Sequence, residues 1–431
     1  MKINKKFFFK IHSWIGIKLS ILFFIVCFSG TLATLSLEMD WLFIPEIRAT
    51  PQKKLASRNL IVSNLQKLYP NGTIGYWKKH NEPYLCDIIY VQDDKKKVTY
   101  VFVNQYTGKI QGNANLTFQR FFRDLHYFLF IPFQIGNFLV LTFGFLLLFS
   151  LITALVFFKK WWRKLFILQT GKGTLVFFRS FHRLIGLWSI PFTLLFSITG
   201  IWYFIERTNI AGIGREVNPR PPKITTFNTK IDSTINLSYT LDYDKIVAIS
   251  KQEIPALKNK SVGISPSATY KNTIYVRGKS DVPLVRQRAN RVYINPNTYE
   301  VVKVQNAKNI STTMWINDIA DPLHFGNWGG LTTKIIWFIF GLGISSLVLS
   351  GVWTVLKRKA INKRKSKTKT LGVWKYINWV IYGVMFYFMF SKLIIRYKAS
   401  TTGIVIISLG CLIFIGLAYY IFVYRIDKAA K

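Results

Sequence analysis

The chain has 431 residues, 50% of them hydrophobic and 16% aromatic, with 58 Lys and Arg against 19 Asp and Glu and a formal net charge of +39. So apolar a composition excludes an ordinary soluble domain. The basic residues are spread along the whole length rather than gathered in one module, which excludes a nucleic-acid-binding domain and points to the lipid bilayer as partner.

Apolar runs near the length that crosses a bilayer core recur at residues 14–37, 136–158, 184–205, 335–356, 374–395 and 404–423, predicting six membrane helices. The first follows a lysine-rich start, but it is too long for a secretory signal and is repeated internally, so it is retained as a helix. Short loops at 161–173 and 357–369 are rich in Lys and Arg and belong on the cytoplasmic side, together with both chain ends. Two long polar segments then fall outside. The chain divides into a helix at 1–37, an outer unit at 38–120, and an interfacial segment with a second helix at 121–160. A basic inner loop at 161–180, a third helix at 181–205 and a second outer unit at 206–315 follow. An interfacial segment with a fourth helix at 316–357, a basic loop at 358–373, and two last helices with a short tail at 374–431 complete it. The fold class is a polytopic α-helical membrane protein of about six transmembrane helices with two small extracytoplasmic α+β units and an internal duplication. The outer basic residues either attract an anionic solute or meet lipid headgroups.

The duplication is plain at the N-termini of the two halves. FFKIHSWIGIKLSILFFIVCFSG from Phe8 aligns without a gap on FRSFHRLIGLWSIPFTLLFSITG from Phe178, placing His12 on His182, Gly16 on Gly186 and Gly30 on Gly200. Further on, RDLH ending at His126 answers DPLH ending at His324, and each leads over the same spacing to Lys159 or Lys357. Four of the five histidines fall at duplicated points. Paired imidazoles in a membrane protein suggest axial ligands to haem iron, with His12 and His182 near the cytoplasmic face and His126 and His324 near the outer face. Two imidazoles saturate a haem and favour electron transfer, and two layers imply about two haems per chain. With no CxxCH the haem is b-type, and with no CxxC there is no iron–sulfur motif. Gly16 and Gly186, one turn beyond their histidines, leave room for a flat macrocycle. Asp124 and Asp321 either orient an imidazole or cap a short helix. Pro132 and Gly136, and in the second copy Gly326, Gly329 and Gly330, predict a turn between each of these histidines and its span. His80 is unduplicated and reads as solvated. TGKGT at 170–174 lacks the upstream glycine of a phosphate loop.

Each outer segment reads as a helix followed by strands. The register FVNQYTGKI over YINPNTYEV sets Asn104 on Asn295 and Thr107 on Thr298, a hairpin-turn signature in which Tyr299 replaces Gly108.

With HSWIG, HRLIG, the two LH pairs and NQYTG in place, residues 5–360 resemble the PepSY-associated transmembrane family, iron-regulated bacterial inner-membrane proteins that include ferric-siderophore reductases. The resemblance implies a reductase that passes electrons from a cytoplasmic or quinol donor to a ferric siderophore outside, releasing ferrous iron. The rivals are a siderophore-binding or transport protein and a non-enzymatic regulator of a peptidase. Residues 374–425 match no assigned part of that family.

Overall fold

The computed structural model describes residues 4–93, 97–224, 236–264, 272–361, 373–420 and 424. Residues 362–369 of the basic loop expected inside, and the last residues of the sixth expected span, lie outside them. The first copy runs α1 (Lys5–Lys18), α2 (Ser20–Thr34), α3 (Ser36–Phe43) and α4 (Arg58–Leu68). Strands β1 (Thr73–Lys78), β2 (Asp87–Gln92), β3 (Val98–Val103) and β4 (Ile110–Ala114) follow, then α5 (Phe118–Phe128) and α6 (Phe133–Phe157). The second copy runs α7 (Thr174–Trp188), α8 (Ile190–Thr208), α9 (Ile213–Val217), α10 (Leu237–Thr240) and α11 (Tyr243–Glu253). It continues through β5 (Lys258–Gly263), β6 (Ile274–Lys279), β7 (Arg291–Ile294), β8 (Val301–Gln305), α12 (Thr312–Phe325) and α13 (Gly330–Ile361). Helices α14 (Trp374–Ser391) and α15 (Thr401–Tyr419) come last. Two compact units result: Met1–Ser36, Gln119–Phe204 and His324–Lys431 form one, Leu37–Phe118 and Ile205–Leu323 the other.

In the helical unit, α6, α13 and Tyr376–Arg396 are long and apolar enough to cross a membrane. The first and third expected spans are not continuous. Helix α1 meets α2 at 72°, and α7 meets α8 at 62°. The breaks fall at Leu19 and Ser189, which are equivalent under the duplication. If each bent pair is one span the described residues give five, and α15 contributes only the shorter apolar stretch Thr401–Leu417. The described residues thus give three to five candidate spans where the sequence predicts six, and an apolar run records how many residues are hydrophobic and not where the backbone turns. At the first break the Ser20 hydroxyl donates to the Ile17 carbonyl, satisfying an acceptor at the bend. Helix α13 packs on both α2 and α7, so the copies interlock, while α1 packs on α6.

A turn separates each later histidine from the span that follows. After α5 it is made by Leu129 and Phe130, both at left-handed φ (54° and 57°) and both fully buried. Such φ values cost a non-glycine residue about 1–2 kcal/mol, and burial of a large apolar side chain returns about as much. After α12 the same task falls to Gly326 and Gly330 at φ 66° and 69°.

The two α+β units expected from the sequence are halves of a single antiparallel sheet, ordered β4-β3-β2-β1-β5-β6-β7-β8. Its centre is the short β1–β5 ladder, Tyr76 opposite Gly263 and Trp77 opposite Val262. The alternating apolar sets of both halves point into one core with α4 and α11, which includes Ile61, Leu65, Trp77, Tyr243, Ile246 and Val262. The two helices cap each other. Asp244 accepts from the Arg58 amide (2.8 Å), and Asn59 donates to Asp242 (2.8 Å) while accepting from the Tyr243 amide (2.8 Å). A lone half would expose β1 or β5 as an apolar edge, and pairing removes both edges. In the hairpin turns Asn104 and Asn295 each accept from amides two residues on, and Tyr299 takes the left-handed place that Gly108 fills in the first copy. Its hydroxyl accepts from the Asp242 amide at 2.9 Å, which offsets the strained φ.

Trp77 is fully buried at the junction and donates from its indole to Asp87 at 2.8 Å. Replacing it by alanine is expected to cost about 3–5 kcal/mol and, because β1 joins the halves, to speed amide exchange in β5 and β6 as well as in β2 and β3. Exchange that rises only in the first half would refute the single-sheet account.

Candidate functional site

The four duplicated histidines all lie on helices of the helical unit or at its border, and each ring is anchored in the same way. On α1, His12 Nδ1 lies 3.0 Å from the Ser150 carbonyl of α6, with the Thr153 hydroxyl at 3.5 Å. On α5, His126 Nδ1 lies 2.8 Å from the Val26 carbonyl of α2. A carbonyl only accepts, so in both rings Nδ1 carries the proton. On α7, His182 Nδ1 lies 3.1 Å from Ser350 Oγ of α13, and on α12, His324 Nδ1 lies 2.7 Å from Thr199 Oγ1 of α8. Ser350 donates its hydroxyl proton to the Leu347 carbonyl and Thr199 to the Leu195 carbonyl, so both accept from the ring. All four imidazoles are thus held as the Nδ1–H tautomer. No hydrogen bond from a described residue reaches Nε2 in any of them.

The rings meet in pairs. The centroids of His12 and His182 are 6.3 Å apart, and those of His126 and His324 are 6.1 Å apart. Two imidazoles bound to one metal from opposite sides, each at about 2 Å with the ring centre about 1 Å further, have centroids about 6 Å apart. The donor set is otherwise bare: among the described residues no group of three or more His, Cys, Asp or Glu could hold a metal ion. Two nitrogens are too few for a zinc site, but they complete a metal whose other four places are filled by a porphyrin. All four histidines are half-buried. Phe157 lies against His12, and Phe196 and Tyr203 against His324, all at 5.5 Å between centroids. Burial pushes the His126 imidazole down, and His324, where proximity to His126 adds to burial, falls to about 3. Both stay neutral at physiological pH, the form that ligates metals.

The other sequence-predicted residues distribute as follows. Gly16 faces open space, with nothing within 4 Å of where a Cβ would stand, and Gly186 meets only Leu347 at 3.8 Å. The glycines that crowd the imidazoles are Gly30, whose Cβ would lie 2.7 Å from His126 Cε1, and Gly351, whose Cβ would lie 3.1 Å from His182 Cε1. Asp124 is buried and accepts from Arg120 and from the Tyr397 hydroxyl. Asp321 pairs with Arg286. His80, expected to be solvated, is instead buried at 7% exposure, two residues past the end of β1. Missed in the sequence were the anchors Ser150, Ser350 and Thr199. A hydroxyl set in an otherwise apolar span is the signal that marks the last two, whereas a backbone carbonyl leaves no trace in composition.

The PepSY-associated TM region family matches residues 9–358. The chain belongs to that family, and with its apolar helices it is a membrane protein. The match spans both copies and all four paired histidines and stops before α14. No curated protein matches the chain.

Gly30→Ala should displace the His126 ring and lower stability by about 1–3 kcal/mol, as overpacking does. Gly16→Ala, in open space inside a helix, should be neutral or stabilising by up to about 1 kcal/mol. Thermal melts in detergent compare them, and equal effects would contradict the crowding at Gly30.

Proposed function

We propose that this membrane protein binds two b-type haems, one between His12 and His182 and one between His126 and His324, and delivers electrons to a ferric siderophore or similar ferric chelate outside the cytoplasmic membrane. The observation that carries this reading is the pairing of four Nδ1-anchored imidazoles with Nε2 uncommitted, at centroid spacings of 6.3 and 6.1 Å. The donor set and spacing fit haem and fit no bare divalent ion.

The chain's own residues prepare the sites. Ser150, Val26, Ser350 and Thr199 fix each ring's tautomer and rotation, so that Nε2 is presented without rearrangement. The four histidines would hold the haems, which would supply reversible one-electron transfer there. The sites stack along α13. Gly341 sits at the level of Thr31, next to Gly30 and His126, and Ser350 holds His182. Nine residues at about 1.5 Å rise set these levels about 14 Å apart. One electron converts ferric to ferrous iron, a softer ion that hard oxygen chelators hold less firmly, and the chelator needs no cleavage. The sheet unit carries an excess of Lys and Arg, which suits attraction of an anionic chelate if that unit faces outside.

Purified protein should show a low-spin b-type spectrum with about two haems per chain, falling to about one in His12→Ala or His182→Ala. Protein that stays haem-free under ample haem supply would sink the reading. Once reduced with dithionite, it should be reoxidised by a ferric hydroxamate, with ferrous iron caught in a chromogenic trap. His126→Ala or His324→Ala should abolish that reoxidation. If ferric chelates leave the reduced spectrum unchanged while a quinone reoxidises it, the acceptor is not a ferric chelate.

A further inference from the structure

All but two of the acidic residues belong to the sheet unit. The exceptions are Asp124 and Asp427, and Asp427 lies outside the described residues. Asp124 is therefore the only described acidic side chain of a helical unit rich in Lys and Arg, and it is 1% exposed. A buried carboxylate in such surroundings persists only with partners. Its partners are Arg120, one turn earlier on α5 at 3.1 Å, and the hydroxyl of Tyr397, which lies just beyond α14. Tyr397 is itself buried, and burial followed by the Asp124 charge pushes its phenol up to about 12, so it remains a donor. The guanidinium of Arg120 also lies 5.7 Å from the Tyr397 ring centre.

This contact is one of a set. Lys392 donates to the Ile131 carbonyl (3.3 Å) and lies over the Phe128 ring (4.3 Å), gripping the turn that follows His126. At the other end of α14, Asn378 donates to the Lys18 carbonyl (3.1 Å) at the α1–α2 break, and Trp374 packs on Trp14. Between them Met385 joins the core formed by Ile15, Leu22, Phe23, Val26 and Leu129. The segment 374–397 thus touches the helices that carry His12 and His126, both in the first copy.

The second copy shows why the first needs such a support. Counted back six and three residues from the paired histidine, α12 carries Asp318 and Asp321 where α5 carries Arg120 and Arg123. On α12 these acids are held by arginines of the sheet unit: Arg286 and Arg288 both reach Asp318 (2.9 and 2.8 Å), and Arg286 also pairs with Asp321. Arginines at the matching places on α5 cannot use that clamp. We propose that the segment beyond the family match, through Tyr397, Lys392 and Asn378, is a brace that positions the first copy's histidines, with Tyr397 acting on His126 through Asp124. Its effect on redox chemistry rests on the haem reading above, while the brace itself does not.

The test uses the full-length protein and two readouts. In Tyr397→Phe and Asp124→Ala, amide exchange across 118–128 should rise about tenfold or more, the loss expected when a buried charge-assisted hydrogen bond is removed. Exchange across 312–325, held by Arg286 and Arg288, should not change. Asp124→Asn keeps an oxygen for Tyr397 and should restore much of the protection. Unchanged exchange in 118–128, or an equal rise in 312–325, overturns the brace. In a His12→Ala background, which leaves only the His126/His324 haem, Tyr397→Phe should shift that site's midpoint potential and low-spin signal. Faster exchange with potential and signal both unmoved overturns the positioning role and leaves the haem reading intact. Absence of haem from the parent protein defeats the haem reading instead, and exchange alone then decides the brace.

Discussion

In the helical unit, the hydrogen bond at histidine Nδ1 governs what is built around it. An imidazole has two nitrogens, and in apolar surroundings each must find a partner or cost free energy. Here one nitrogen of every paired ring is satisfied by a neighbouring helix, and under the proposed reading the other is the one that takes the metal. The need to bring a donor helix within 3 Å of an acceptor helix explains much else. It sets α1 against α6, α5 against α2, α7 against α13 and α12 against α8. It places Gly30 and Gly351, which lack a Cβ, where the imidazoles lie closest.

The copies solve this problem with the same geometry and different chemistry. First-copy rings donate to backbone carbonyls, Ser150 and Val26, while second-copy rings donate to hydroxyls, Ser350 and Thr199. Each pair therefore combines one carbonyl-anchored and one hydroxyl-anchored imidazole. A carbonyl acceptor is indifferent to its own side chain, so first-copy anchors tolerate substitution at the residue that supplies them. Second-copy anchors do not. The same divergence separates the two helix supports, an arginine clamp on α12 and a tyrosine-bearing brace on α5.

What the sequence made legible follows from what duplication preserves. Identities at matching positions, His12 with His182 and His126 with His324, are visible without structure, and so is the pairing they imply. The turn residues Asn104 and Asn295 were equally readable, because an asparagine that bonds its own backbone carries the signal locally. The bend at Leu19 was not, since no helix breaker stands there and hydropathy is blind to direction, whereas Pro191, two residues past Ser189, marks the second bend. The joining of two outer units into one sheet was hidden for a related reason. The β1–β5 ladder uses strand edges, and an edge that pairs with its own repeat looks in sequence like one that pairs with nothing. Gly16 and Gly186 stand one turn from a histidine on the same helix, where spacing alone reveals them, whereas Gly30 and Gly351 crowd the imidazoles from another helix and no spacing marks them.

The distribution of charge adds a constraint on any electron carrier here. The helical unit holds one described acidic side chain, Asp124, and it is neutralised by Arg120 and Tyr397, while most of the unit's many cations have no carboxylate within the unit to answer them. A surrounding field of that sign stabilises added negative charge. Under the proposed reading it therefore favours the reduced form of both sites and makes the unit easy to load with electrons. Unloading must then be driven by an acceptor of higher potential or by one that is consumed, and a ferric chelate whose ferrous product dissociates meets the second condition. The carboxylates that would weaken this field have been kept to the sheet unit, where Asp318 and Asp321 serve instead to hold α12 in place. Under the proposed reading the separation of acids from the helical unit serves electron loading, and among the described residues Asp124, buried by a tyrosine from outside the family's own segment, is the one carboxylate that departs from it.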